Sequence, residues 1–430
     1  MRAEQIADTI FALSSGAPPA AIAIVRISGP RADTALAELA GNLPPPRQAR
    51  LATLRRAGEV LDRALVIRFP GPNSVTGEDL VELHLHGGRA IVAVVLEALA
   101  ALDGLRPAVA GEFTRRAFDN GRMDLAEAEG LADLLSAETQ SQRRAAQALA
   151  GGALSRQVEM WQETLLGLSA RLEASLDFSD EGEVGNDLPP HWIEDVGTFA
   201  AELDAFLARP SVERLRDGVR VVIAGPPNAG KSSLLNWLVG RQAAIVAAIA
   251  GTTRDLVEAP TSIAGTPFLL VDTAGLRESD DEVEAIGVAK AEQSIAAADL
   301  LLWLGGPFAC PAPERAIIVQ SKIDLAPALA AGAEIGVSAE TGEGMSQLVD
   351  LLTARARSLL PREGEVALND RHRSALMRVR GQLDEVIGTA DHLIAAESLR
   401  QARVALDAIT GRSGIEDMLD SLFGRFCIGK

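Results

Sequence analysis

The stretch from Gly225 to Ser233, GPPNAGKSS, constrains this chain more than any other. It follows the apolar run Val219, Val221, Val222 and Ile223 and precedes a helical pattern through Leu234, Leu235, Trp237 and Leu238. Strand, glycine loop, Lys-Ser and helix form the order of a phosphate-binding loop. Glycines let backbone N–H groups turn toward phosphate oxygens, and the helix N-terminus adds its dipole. In that arrangement Lys231 reaches the β/γ-phosphates and the Ser232 hydroxyl ligates Mg²⁺. Asn228, Ala229, Gly230 and Ser233 complete the cradle. An ordinary strand-to-helix turn reads similarly at one place, so the later motifs decide.

Those motifs come in order, each at a strand end. Gly251-Thr252-Thr253-Arg254-Asp255 supplies a threonine, Thr252 or Thr253, that can complete Mg²⁺ coordination and sense a γ-phosphate. Asp272-Thr273-Ala274-Gly275 follows a buried strand, with Asp272 placed to hold Mg²⁺ through water and the Gly275 N–H to meet the γ-phosphate. Ser321-Lys322-Ile323-Asp324 follows another strand. There an aspartate accepting from guanine N1–H and the 2-amino group rejects adenine, and the lysine stem can lie over the ring. Val337-Ser338-Ala339-Glu340 fits a backbone loop for guanine O6. Agreement of motif and context throughout reads as a GTP-binding unit.

Two departures stand out. GTPases usually read Asn-Lys-x-Asp, and Ser321 is shorter with fewer hydrogen-bonding groups. Guanine selection is expected to survive through Asp324 with weaker affinity. Leu276 occupies the place of the usual water-orienting glutamine. The water must then be positioned from elsewhere, the acidic run Glu278 to Glu284 being the candidate beside its plain reading as a solvated helix start. Asn228 offers an oxygen near the phosphates, where a monovalent cation could act electrostatically.

The 430 residues allow two to four domains. A formal net charge of −18 excludes a broad electrostatic grip on nucleic acid, leaving local patches such as Arg47, Arg50, Arg55 and Arg56, or Arg371, Arg373, Arg378 and Arg380. Each patch reads first as solvated charge. Two cysteines, Cys310 and Cys427, make no disulfide framework and fit a reducing compartment. No signal peptide is expected, because Glu4 and Asp8 interrupt any apolar core, and no membrane span is expected. A cytoplasmic location follows.

The pattern predicts a multidomain chain of α/β and all-α parts. Residues 1–118 read as α/β, with strands at Ala21–Ile27 carrying Arg26, at Arg63–Phe69, and at Leu80–Leu85. Alternation in the last puts Glu82, His84 and His86 on one polar face. Two histidines lack the further ligands a zinc site needs, so they read as polar-face or site-lining residues. Residues 119–210 are helical, including one long helix over Ala145–Leu176 and an acidic break at Asp177–Pro190. Residues 211–360 return to strand and helix, and 361–430 are helical again, with helices at Ser374–Ala396 and Ser398–Ile409. Helical stretches on both sides of an α/β unit suggest an insertion.

With these motifs in place, the chain resembles the MnmE (TrmE) family of tRNA-modification GTPases. The matches are RISG at 26–29, FPGPNSVTGEDLVELHLHGG at 69–88, GEFTRRAFDNGRMDLAEAE at 111–129, the GTP motifs and the terminal FCIGK. The resemblance implies a folate-binding-like N-terminal domain that mediates homodimerisation, and a discontinuous helical domain carrying a Ras-like G domain. It implies potassium-stimulated hydrolysis. It also implies a flavoprotein partner, MnmG (also called GidA), in a heterotetrameric or larger complex. The implied reaction adds an aminomethyl or carboxymethylaminomethyl group to carbon 5 of the wobble uridine of certain tRNAs, with the carbon from 5-formyl- or methylene-tetrahydrofolate. It puts K⁺ at Asn228, Ala247, Ile249 and Thr252, and Mg²⁺ at Ser232 and Thr253. Ala248, Ala250 and Gly251 join the nucleotide loop, and Glu284 becomes the water-orienting residue. Lys231, Thr253 and Asn228 join it in catalysis. The folate positions fall on Arg26, Glu82, Arg122 and Lys430, with Cys427 as a possible modification site. A GTP-gated ribosome-assembly factor is the alternative; it would need neither the folate-like region nor the CIGK terminus.

Overall fold

A computed structural model describes residues 8–177, 191–240, 257–273, 282–326, 328–362, 365–412, 416–424 and 426–430. The first sheet contains β1 (Thr9–Leu13), β2 (Ile22–Ser28), β3 (Arg50–Arg56), β4 (Glu59–Phe69), β5 (Leu80–His86) and β6 (Leu105–Pro107). Helix α1 (Ala32–Ala40) follows β2 and α2 (Arg89–Ala100) follows β5. The strand order is β3-β4-β5-β2-β1-β6, antiparallel except for the β1–β6 pair. Side chains alternate between the two faces of a strand. Val25, Ile27, Leu83 and Leu85 therefore pack under Leu36 of α1 and Val95 and Leu99 of α2. Arg26, Glu82 and His84 are left on the opposite face. The strand expected at Arg63–Phe69 begins earlier, at Glu59, and forms a hairpin with β3.

The next helices are α3 (Glu112–Asp119), α4 (Leu125–Ser136), α5 (Gln140–Ala150), α6 (Ala153–Asp177), α7 (Trp192–Leu207) and the short α8 (Glu213–Arg216). The single helix expected over Ala145–Leu176 is thus two helices. Thr139 and Gln142 form a capping box that starts α5, and Gly151-Gly152 ends it, Gly152 having φ of +75°. The helical period continues across such a break, so periodicity alone hides it.

A second sheet follows. It contains β7 (Val219–Ala224), β8 (Val257–Ile263), β9 (Thr266–Asp272), β10 (Leu300–Trp303), β11 (Ala316–Gln320) and β12 (Ile335–Gly336). Helices α9 (Lys231–Gly240), α10 (Glu282–Ala296) and α11 (Met345–Ser358) alternate with them. The order is β12-β11-β10-β7-β9-β8, parallel except for the β8–β9 hairpin. Strand β8 carries Pro260, which lacks an N–H and is tolerated because β8 is an edge. Val221, Ile223, Leu270, Leu302 and Ile317 are buried with Leu234 and Leu238 of α9 and Leu348 and Leu352 of α11.

The chain ends in α12 (Asp370–Gly388), α13 (His392–Thr410) and α14 (Glu416–Phe423). The break expected beside Ser398 lies instead at residues 389–391. Asp391 Oδ1 accepts from Leu393 N at 2.9 Å and so caps α13. Asn369 and His372 form a capping box that opens α12. Arg373 Nη1 donates to Leu207 O at 2.7 Å and Arg380 Nε to Asp204 Oδ1 at 2.9 Å, so these arginines tie α12 to α7. Where the chain leaves and rejoins the helical part, Ser211 pairs with Leu368, Val212 N donates to Leu368 O at 3.1 Å, and Asp370 N donates to Glu213 Oε1 at 2.9 Å.

Two compact units result: Met1–Ala132 with Asp407–Lys430, and Asp133–Leu406. Among the described residues no helix is long and apolar enough to cross a membrane.

Candidate functional site

The phosphate loop leaves the carboxyl end of β7, which lies between β10 and β9. In open α/β sheets ligands bind beyond these strand ends. Gly225 has φ of +152°, and a Cβ there would lie 3.1 Å from Leu304 backbone. The positive φ, with that close approach added, strains any other residue here. Asn228 and Gly230 also take positive φ, +61° and +87°. Lys231 opens α9 and is 8% exposed; its Nζ donates to Gly225 O at 3.2 Å and Pro226 O at 3.0 Å. The ammonium is thus held within the curl of its own loop.

Beside it, Ser232 Oγ donates to Asp272 Oδ2 at 2.7 Å. Asp272 ends β9 and is 4% exposed. The next residue, Thr273, donates from Oγ1 to Ile223 O at 3.0 Å, fixing the end of β9 to β7. Two residues separated by 40 positions are so brought to one point, and a hydroxyl with a carboxylate is the hard-oxygen set that suits Mg²⁺.

The base-reading segment follows β11. Ser321 Oγ donates to Ala229 O at 2.6 Å, and Lys322 Nζ to Asn228 O at 2.8 Å. Ile323 N donates to Val337 O at 3.2 Å, which ties this segment to the one after β12. Ser338 is buried and its Oγ accepts from Thr341 N at 3.1 Å; Asp324 and Glu340 are exposed, and Ala339 is half-buried. The tie from Ser321 to Ala229 was not legible in the sequence, where Ser321 reads only as a shortened asparagine. Its signal is the hydroxyl itself.

Ala247, Ala248, Ile249, Ala250, Gly251, Thr252 and Thr253 lie outside the described residues, as do Ala274 and Gly275. Glu284 falls within α10, but its side chain is outside what is described.

In the N-terminal unit Arg26 and Glu82 face each other across the β2–β5 pair, and Arg26 Nε donates to Glu82 Oε1 at 2.8 Å. His84 Nε2 lies 3.2 Å from Glu82 Oε2, and His86 Nδ1 lies 2.7 Å from Asp62 Oδ1. Burial pushes the Asp62 carboxyl up, but hydrogen bonds from His86 and from the Arg63 N–H outweigh it and hold the group below its usual value. Both histidines are therefore paired with carboxylates. No metal-binding cluster of His, Cys, Asp and Glu occurs among the described residues. Arg122 is exposed beside Gly77, whose loop is joined to β2 by the 2.7 Å contact of Thr76 with Ser28. The C-terminal residues pair with the same unit through Ala110 and Ile428. A Cβ on Gly429 would lie 2.2 Å from Leu13 O, so only glycine fits there. Among the described residues no hydrogen bond or ion pair joins the Arg122 or Lys430 side chain to Arg26 or Glu82. Cys427 is exposed.

A phosphate loop at a central parallel strand, an acidic strand end at its serine, and a base segment tied across it define a P-loop guanine-nucleotide-binding protein. Comparison with known proteins narrows this. Residues 125–427 match the family model for the MnmE helical domain, and residues 9–122 match that for the GTP-binding protein TrmE N-terminus. The tRNA modification GTPase MnmE of Rhizorhabdus wittichii is 58% identical over 98% of this chain and 97% of its own length. Those of Erythrobacter litoralis and Novosphingobium aromaticivorans are 56% and 55% identical, each over 98% of this chain and 100% of their own. The chain belongs to the MnmE family of tRNA modification GTPases.

Proposed function

We propose that this protein hydrolyses GTP with Mg²⁺ and with stimulation by K⁺, as a cytoplasmic homodimer. With the flavoprotein MnmG (GidA) it drives tetrahydrofolate-dependent addition of an aminomethyl or carboxymethylaminomethyl group to carbon 5 of the wobble uridine of certain tRNAs. The observation that carries the hydrolytic part is the meeting of Ser232 and Asp272 at 2.7 Å beside the enclosed Lys231. The names of the relatives support the tRNA part.

In this reading the functional divisions fall at 1–118, 119–210, 211–360 and 361–430. Lys231 donates to the phosphates. Ser232 and Thr253 would hold Mg²⁺, which when bound offsets phosphate charge. Asn228, with Ala247, Ile249 and Thr252, would hold K⁺, which when bound adds positive charge to the site. Glu284 orients the attacking water in place of the glutamine that Leu276 replaces. Asp324 reads guanine, and the Ser338–Glu340 segment meets its O6. Arg26 and Glu82, half-buried and fixed to one another on the sheet face away from α1 and α2, bind the folate derivative together with Arg122 and Lys430, and Cys427 lies near it as a possible modification site.

Mass spectrometry of bulk tRNA nucleosides tests the reading. Deleting the gene should remove the modified wobble nucleoside, and an unchanged nucleoside profile would defeat it. Separately, Asn228→Ala is expected to lower the K⁺ stimulation of GTP turnover by about tenfold, less than the roughly hundred- to thousandfold cost of losing a donor at the reacting centre because one cation ligand of several is removed, while GDP affinity stays near that of the parent. Equal stimulation in both proteins would remove Asn228 from the cation site.

A further inference from the structure

The base segment and the phosphate loop are joined by two side chains, Ser321 to Ala229 O at 2.6 Å and Lys322 to Asn228 O at 2.8 Å. The loops are close enough that a Cβ built on Gly230 would sit 3.8 Å from Ser321 Cβ and 4.0 Å from its Oγ. A serine hydroxyl has one proton to donate, whereas the amide of asparagine has two. The single proton of Ser321 points at Ala229 O.

Guanine presents N7 and O6 as acceptors on the edge away from its 2-amino group. A hydroxyl whose only proton is already committed cannot donate to either. An asparagine in the same place could hold the phosphate loop with one N–H and keep a second for the base. We propose that Ser321 is a positioning residue, a latch that holds the base segment on the phosphate loop, and that this chain leaves guanine N7 unread. Base selection then comes from the Watson–Crick edge, through Asp324. This rests on the guanine-nucleotide site described above.

The probe is 7-deaza-GDP, in which a C–H replaces N7 and nothing else changes. Calorimetric titration of the full chain should give GDP and 7-deaza-GDP affinities within about twofold of each other, since no hydrogen bond is lost. Ser321→Ala should weaken both nucleotides by about fivefold, the effect of one hydrogen bond, with their ratio unchanged. Ser321→Thr, which keeps the hydroxyl, should restore both. A parental preference of about fivefold or more for GDP over 7-deaza-GDP would overturn the proposal, and it is measured without any variant. Parental affinity in Ser321→Ala would overturn the latch. If the parent binds neither nucleotide, the guanine-nucleotide site itself is lost, which is a different failure.

Discussion

Lys231→Ala is expected to lower GTP turnover by about a hundred- to a thousandfold, the usual cost of removing one preorganised donor from a reacting centre. The side chain is already held in the loop by Gly225 O and Pro226 O, with little of it exposed to water. Its charge therefore acts where screening is weak, and it need not be drawn in from solvent when phosphate arrives. Among the described residues its hydrogen-bond partners are two neutral carbonyls and no carboxylate, so folding should suffer little. The measurement is phosphate release at saturating GTP, with a melting curve as control. Turnover within about threefold of the parent would show that this loop is not the hydrolytic centre.

Arg116→Ala should lower the stability of the N-terminal unit by about 3–5 kcal/mol, the cost of stranding buried charge. The Arg116 side chain is 9% exposed. Its guanidinium donates to Asp8 Oδ1 at 2.7 Å and to Asp8 O at 2.9 Å, and it also reaches Glu78 and Glu112, each at 3.2 Å. Arg106 joins Asp8 to Glu112 from the other side. Burial pushes the carboxyls of Asp8 and Glu112 up. Their hydrogen bonds and the charges of Arg106 and Arg116 outweigh that and hold both below the usual 3.8 and 4.5. A carboxylate lowered in the folded state stabilises above its unfolded value, and the effect fades as pH falls through the lowered one. The gap between parent and Arg116→Ala should therefore be full above about pH 5 and narrow steadily in more acid solution. Hydrogen exchange at β1 and β2, followed against urea, reports this unit directly. A gap below about 1 kcal/mol, the size of an exposed pair, or one independent of pH, would count against the network.

The phosphate loop, the Asp272 strand end and the base segment were legible because phosphate and guanine chemistry fix residue types at fixed offsets from strands. The polar face of β5 was legible because Glu82, His84 and His86 alternate with Val81, Leu83 and Leu85. What escaped depends on distant pairing or on local exceptions. Nothing near Ser321 in sequence reveals that its hydroxyl meets Ala229, 92 positions away. The Arg26–Glu82 pair exists only because β2 lies beside β5, with a crossover between them. Strand β8 was hidden by Pro260, which weakens a strand pattern everywhere except at an edge. The helix break at Gly151-Gly152 was hidden because the apolar period resumes in phase beyond it.

The pairing of Ser211 with Leu368 bears on how such a chain could have come to exist. Helices α7 and α12 pack together through Arg373 and Arg380, yet an entire α/β unit separates them in sequence. The two crossings are pinned within a hydrogen bond of each other. To the helical host, the intervening roughly 150 residues amount to one closed loop, whose entropic cost grows only with the logarithm of its length. The host thus tolerates a folded unit of this size in the loop, and what an exchanged unit would have to match is confined to α5, where Ser141 Oγ donates to Gly265 O at 3.3 Å and Ala145 packs on the core of the insert.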